Sequence, residues 1–130
     1  MGFARTLSEL TDLFRWLCQA RYTMNRFSIS DPVLTRFCPA ANALSGARMA
    51  RAVLFGSRAR GDFRADSDYD IAVFLRDMTD RTEAMDGLAA METDILLATG
   101  AVINTLPFPL EAYRDRTAFM GEVRRDGQDL

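Results

Sequence analysis

Two short apolar runs, Ala50 to Phe55 and Tyr69 to Leu75, stand on either side of a polar stretch rich in Gly, Arg and Asp. Runs of this length and composition read as buried β-strands. The stretch between them, GSRARGDFRADSD over residues 56–68, reads as the loop that joins the strands. A chain that must place these two strands side by side, with that loop at one end, has few folds open to it. Gly56 follows directly on the first strand, where a residue without a side chain lets the backbone turn sharply and lets its N–H groups approach a ligand. Ser57 adds a hydroxyl at the same place.

The second strand opens with Asp68-Tyr69-Asp70. Alternate residues of a strand share a face, so Asp68 and Asp70 point together and Tyr69 points away. Two carboxylates on one face repel unless a cation lies between them. Their hard oxygens suit Mg²⁺, which takes one or two carboxylates together with substrate phosphates. A strand-to-Gly-Ser turn can cradle phosphate oxygens, and Arg58 and Arg60 stand beside it as partners for phosphate charge. Joined, these parts make the layout for in-line displacement at a phosphate, with Asp68 and Asp70 as metal ligands and catalytic carboxylates. Each part taken alone is also the composition of a solvated loop.

The rest of the composition narrows the chemistry. All 16 cationic side chains are Arg, and the chain has no His. A Ser-His-Asp or Cys-His site, a histidine metal site and a lysine Schiff base are thereby excluded. A net charge of −2 argues against a dedicated nucleic-acid binder. Cys18 and Cys38 match no zinc or redox spacing and read as reduced, buried thiols. No apolar run reaches the length of a membrane span and no signal peptide is visible, so a soluble, cytoplasmic protein is expected.

Around the two strands the pattern is mixed. Residues 3–22 show an amphipathic helical stripe with a capping box at Thr6-Leu7-Ser8-Glu9. Met24 opens a second plausible start, so residues 1–23 are read as an N-terminal helical extension: either part of the protein or an upstream extension of its reading frame. Asp31-Pro32 begins a helix that Pro39 should kink or end and Gly46 should close. A helix is expected from about Thr82 to Thr99 with Gly100 as its cap, a third strand over 101–106 stopped by Pro107 and Pro109, and a last helix over 111–125. The fold class is α+β, a small mixed sheet flanked by helices, with residues 24–130 as its domain.

Gly56-Ser57, ten residues, then Asp68-x-Asp70, within VLFGSRARGDFRADSDYDIAVF, resembles the signature of the minimal nucleotidyltransferase domains of the DNA polymerase β-like nucleotidyltransferase superfamily. The resemblance runs over roughly residues 31–128. It implies that Gly56 and Ser57, with Arg58 beside them, bind the triphosphate of ATP, and that Asp68 and Asp70 bind Mg²⁺. Many such proteins are antitoxins encoded beside a HEPN-type toxin, and some transfer AMP from ATP to a tyrosine of that toxin. The resemblance therefore implies a toxin partner in a hetero-oligomer. One departure stands out. Full polymerase-like sites carry a third carboxylate on a later strand, and the position that best corresponds here is Asn104, which supplies neither charge nor a base. Glu92 and Asp94 are read as the solvated face of their helix. Three activities follow as alternatives: AMP transfer to a partner protein, neutralisation of that partner by contact alone, and nucleotide addition to a small molecule, for which the chain has little room.

Overall fold

The computed structural model describes residues 31–130. The helix expected over residues 3–22 and Cys18 lie outside the described residues. Helix α1 spans Pro32–Ser45, strand β1 Met49–Phe55, the one-turn helix α2 Ser57–Arg60, strand β2 Tyr69–Leu75, helix α3 Arg81–Thr99, strand β3 Ile103–Pro109, helix α4 Ala118–Asp126 and strand β4 Gln128–Asp129. The strands form one sheet in the order β3-β2-β1-β4. β1 runs antiparallel to both β2 and β4, and β2 runs parallel to β3. The class is α+β, as the strand pattern implies.

Strand alternation divides the core between the two faces of the sheet. On one face Ala52 and Leu54 of β1 and Ile71, Val73 and Leu75 of β2 pack against Phe37 of α1 and Leu88, Met91 and Ile95 of α3. On the other, Val53, Phe55, Ala72 and Phe74 pack against Met120 and Val123 of α4. Phe74 is the aromatic centre of that layer, stacked on Phe108 and edge-on to Tyr113. Asp70 shares the parity of this second face, two residues before Ala72. It therefore sits at the open end of a packed layer rather than on a free loop.

The start of α1 is tied to β2 by one side chain. Asp31 accepts from the backbone N–H groups of Val33 and Leu34 at the helix N-terminus. Its other oxygen accepts from the Tyr69 hydroxyl at 2.7 Å. Burial, with the Asp31 hydrogen bond and charge adding to it and Arg58 opposing, pushes the Tyr69 phenol up to about 12. The hydroxyl thus stays a neutral donor, and the ring is core, packed on the face opposite Asp68 and Asp70. Burial likewise pushes the Cys38 thiol up to about 11, so it stays protonated at neutral pH.

Several sequence expectations change here. Pro39 neither ends nor closes α1, which runs on to Ser45. It stands on the exposed side of the helix, and so does Thr35 one turn earlier. Pro107 does not stop β3, which continues to Pro109 with Pro107 opposite Val73. The reason is edge geometry. The N–H of Thr105 is satisfied from outside the sheet, by Glu92 Oε1 at 2.7 Å. Pro107 has the same strand parity, so the N–H it lacks would also face the free edge. Glu92 is accordingly not a solvated residue of α3: it accepts from both the N–H and the hydroxyl of Thr105 and clamps helix to strand. The helix expected over 111–125 is two pieces, a 3₁₀ turn at Leu110–Arg114 and α4, which restarts at the Thr117 cap. Arg124 bridges the break by donating to the carbonyls of Tyr113 and Asp115. Among the described residues no helix is long and apolar enough to cross a membrane.

Removing the acceptor of Glu92 leaves the Thr105 N–H and hydroxyl without their partner. Glu92→Ala is expected to lower the unfolding free energy by about 1–3 kcal/mol, against less than about 0.5 kcal/mol for Asp94→Ala at an exposed position of the same helix. Urea unfolding of the two variants measures the difference, and equal effects would contradict the clamp.

Candidate active site

The site forms where β1 ends and β2 begins. Antiparallel pairing sets Phe55 opposite Asp70, so the residue after Phe55 arrives beside the second carboxylate of the Asp-x-Asp pair. That residue is Gly56, with φ 75° and ψ −157°, a backbone region open almost only to glycine. Space imposes the same choice, because a Cβ at Gly56 would lie 2.7 Å from Asp70 Oδ2. The turn and the carboxylate are thus in contact, and nothing larger than hydrogen fits between them.

From Gly56 the chain enters α2. The Gly56 carbonyl accepts from the N–H groups of Ala59 and Arg60, and Gly61 closes the turn in the left-handed region. From the other side of the molecule, Gln128 Nε2 donates to the Ala59 carbonyl at 2.7 Å, so β4 fixes the last part of α2. Ser57 heads the helix, partly exposed, at a position whose N–H has no acceptor within the helix itself. A single turn carries only a small dipole, so this cradle offers donors to a phosphate but little charge.

Arg58, the next residue, is engaged with the loop that follows. Its guanidinium turns back into the loop and donates to the carbonyls of Ser67, Arg64 and Ala65. It lies over the rings of Tyr69, at 3.9 Å, and Phe63, at 4.6 Å. The side chain that the sequence places beside the Gly-Ser turn thus holds the loop that leads to Asp68. By bonding the Ser67 carbonyl it fixes the residue before Asp68. Arg60 pairs with Asp62 and Glu122 at the surface, at 3.4 and 3.3 Å. Exposed pairs like these are worth about 1 kcal/mol or less.

Asp68 is exposed and Asp70 half-buried. Their convergence is visible in a third side chain. Asn104 Nδ2 on β3 lies 3.2 Å from Asp68 Oδ2 and 3.4 Å from Asp70 Oδ1. One amide group thus faces both carboxylates, which requires its donor side toward them. The parallel register sets Asn104 opposite Asp70, so the sheet itself brings the three residues together. Two hard carboxylates facing a common point fit a divalent cation such as Mg²⁺. Gly56, Ser57, Asp68 and Asp70 are therefore in one place, and Arg58 stands behind them. Asn104 corresponds to the strand position noted in the sequence, but its bridging contact depends on a strand register that no local pattern encodes. No group of three acidic, His or Cys side chains able to hold a metal occurs among the described residues.

Gly56 and Gly61 both have positive φ, yet only Gly56 has a neighbour within 4 Å of an added Cβ. Gly56→Ala is expected to destabilise the fold by about 1–3 kcal/mol from backbone strain alone, with the clash against Asp70 adding to it. Gly61→Ala should cost about 1 kcal/mol. Denaturant unfolding of both variants gives the comparison, and a Gly56→Ala protein as stable as Gly61→Ala would contradict the close approach.

Comparison with known proteins agrees with this geometry. A family described as polymerase beta, nucleotidyltransferase, matches residues 42–106, a span that is half of the chain and contains Gly56, Ser57, Asp68, Asp70 and Asn104. Among solved structures, a crystal structure of a toxin-antitoxin with AMP-PNP superposes with a TM-score of 0.54 at 18% identity, covering 73% of this chain and 69% of that one. A mutant of the toxin-antitoxin MntA-HpeT superposes with a TM-score of 0.54 at 16% identity, with the same coverage. At that identity the likeness is one of fold. No curated protein matches the chain in sequence. A Gly-Ser turn pressed against a convergent carboxylate pair, on a sheet of this order, belongs with the sequence match over the same residues: the chain is a member of the polymerase beta nucleotidyltransferase family.

Proposed function

We propose that this protein is a Mg²⁺-dependent nucleotidyltransferase that moves AMP from ATP to a hydroxyl of a partner protein, a HEPN-type toxin, and so acts as an antitoxin. The observation that carries the reading is the convergence of Asp68 and Asp70 on one point, 3.2 and 3.4 Å from a single Asn104 nitrogen, directly beside the Gly56-Ser57 turn. Similarity to two toxin-antitoxin structures, one of them holding AMP-PNP, supports the partner and the nucleotide class.

In this reading Asp68 and Asp70 hold the cation, and the Gly56-Ser57 turn receives the triphosphate through backbone N–H groups and the Ser57 hydroxyl. Bound there, Mg²⁺ supplies the positive charge that stabilises the phosphoryl oxygens as charge builds on them. The chain's own contribution is position. Gly56 allows the phosphate turn to lie against Asp70, and Arg58 fixes the loop that presents Asp68. The acceptor oxygen bonds to the α-phosphorus, the bond from that phosphorus to the bridging oxygen breaks, and pyrophosphate leaves. With no His and no Lys in the chain, the acceptor proton passes to a carboxylate or to water. The small domain offers no separate acceptor-binding lobe among its described residues, which fits an acceptor that brings its own surface.

A second reading, neutralisation by contact alone, is favoured by one observation: a neutral Asn104 stands at the strand position where a carboxylate would complete the acidic set. The two readings separate in one assay. With α-labelled ATP, Mg²⁺ and the product of the adjacent gene, the wild-type protein is expected to label the partner, and Asp70→Asn to reduce labelling by at least about a hundredfold. A stable complex of wild type and partner that never acquires label would overturn transfer and leave binding alone.

A further inference from the structure

The arrangement at Asn104 bears on how many cations the site takes, a question that rests on the metal–nucleotide reading above. Two-metal sites hold their ions about 3.5–4 Å apart, and such a pair of divalent ions needs anionic ligands on the protein as well as on the substrate. Here the protein offers two carboxylates, Asp68 and Asp70. Their facing oxygens, Asp68 Oδ2 and Asp70 Oδ1, are both satisfied by one amide nitrogen. The other oxygen of Asp70 lies against Gly56, 2.7 Å from where a Cβ would stand, on the side of the turn rather than of Asp68.

Glu92, the acidic side chain bonded to the strand residue after Asn104, is committed elsewhere. It accepts two hydrogen bonds from Thr105, the neighbour of Asn104 on β3, on the opposite side of the strand. Turning it toward Asp68 would leave the Thr105 N–H without its acceptor. No third acid is at hand, since no group of three acidic, His or Cys side chains able to hold a metal occurs among the described residues. A single divalent cation balances the two carboxylates. A second would have to rest on a neutral amide and the triphosphate alone.

The geometry points to a site for one divalent cation per bound nucleotide, with Asn104 as the residue that sets this number. Its amide holds the carboxylates together when the cation is absent and contributes no charge for a second ion. Changing Asn104 to an acid places a third carboxylate opposite Asp70 in the β2–β3 register and completes an acidic set for two.

The test counts ions rather than turnover. Mn²⁺ is titrated into the protein in the presence of a non-hydrolysable ATP analogue, with bound ions counted by the loss of the free-ion paramagnetic resonance signal. Wild type is expected to take one Mn²⁺ per nucleotide complex. Asn104→Asp is expected to take two, with the broadened signal of a spin-coupled pair. Asn104→Ala, which removes the amide without adding charge, is expected to take one. Two ions on wild type, or one on a folded Asn104→Asp protein that binds the analogue, would overturn the inference. Nucleotide bound by wild type with no ion at all would overturn the metal–nucleotide reading beneath it, an outcome distinct from a wrong count.

Discussion

A carboxylate and a bare backbone in contact organise this molecule. Asp70 cannot approach the end of β1 unless the residue there lacks a Cβ and can take a positive φ, and Gly56 meets both conditions. The antiparallel pairing of Phe55 with Asp70 delivers the two residues to each other, and the buried faces of β1 and β2 hold that pairing in register. A one-residue slip would turn Asp70 into the layer now formed by Ile71 and Val73 and bring apolar side chains to the surface. The register that keeps the core apolar is thus the same register that builds the site.

Charge tells a parallel story. The chain's cations are all Arg, and several of them donate to backbone carbonyls. Arg58 closes the loop before Asp68, Arg76 holds the carbonyls of Ala47 and Met49 at the entry to β1, and Arg124 spans the break before α4. The guanidinium fork suits this use, since it satisfies two or three carbonyls where loops leave them without strand or helix partners. One result is a Gly-Ser turn flanked by arginine in sequence, with the Arg58 guanidinium facing the protein. In the proposed reaction the neutralising charge then comes with the nucleotide, as Mg²⁺ held by Asp68 and Asp70.

How much of this was legible beforehand follows from which signals are local. β2 falls where its apolar run falls, and α3 begins and ends within one residue of its Thr82–Thr99 pattern, with Gly100 in the left-handed cap. The Gly-Ser turn and the Asp pair could be read because spacing and strand parity are properties of the sequence. What could not be read depends on neighbours distant in the chain. Pro107 is tolerated because β3 is an edge strand. Glu92 is held at one oxygen because Thr105 donates to it twice. β4, two residues long, exists only through its pairing with Val53 and Leu54. The direction of Arg58 is set the same way, by Tyr69, Phe63 and three loop carbonyls.

The central claim is that Asp68 and Asp70 bind a nucleotide through a metal at the Gly56-Ser57 turn. Its most direct measurement is the calorimetric affinity for a non-hydrolysable ATP analogue, with and without Mg²⁺, in wild type and in Asp68→Asn. The account predicts binding that depends on Mg²⁺ and is lost in the variant while the fold is kept. Equal affinity with and without Mg²⁺, or undiminished binding by the folded variant, would contradict it.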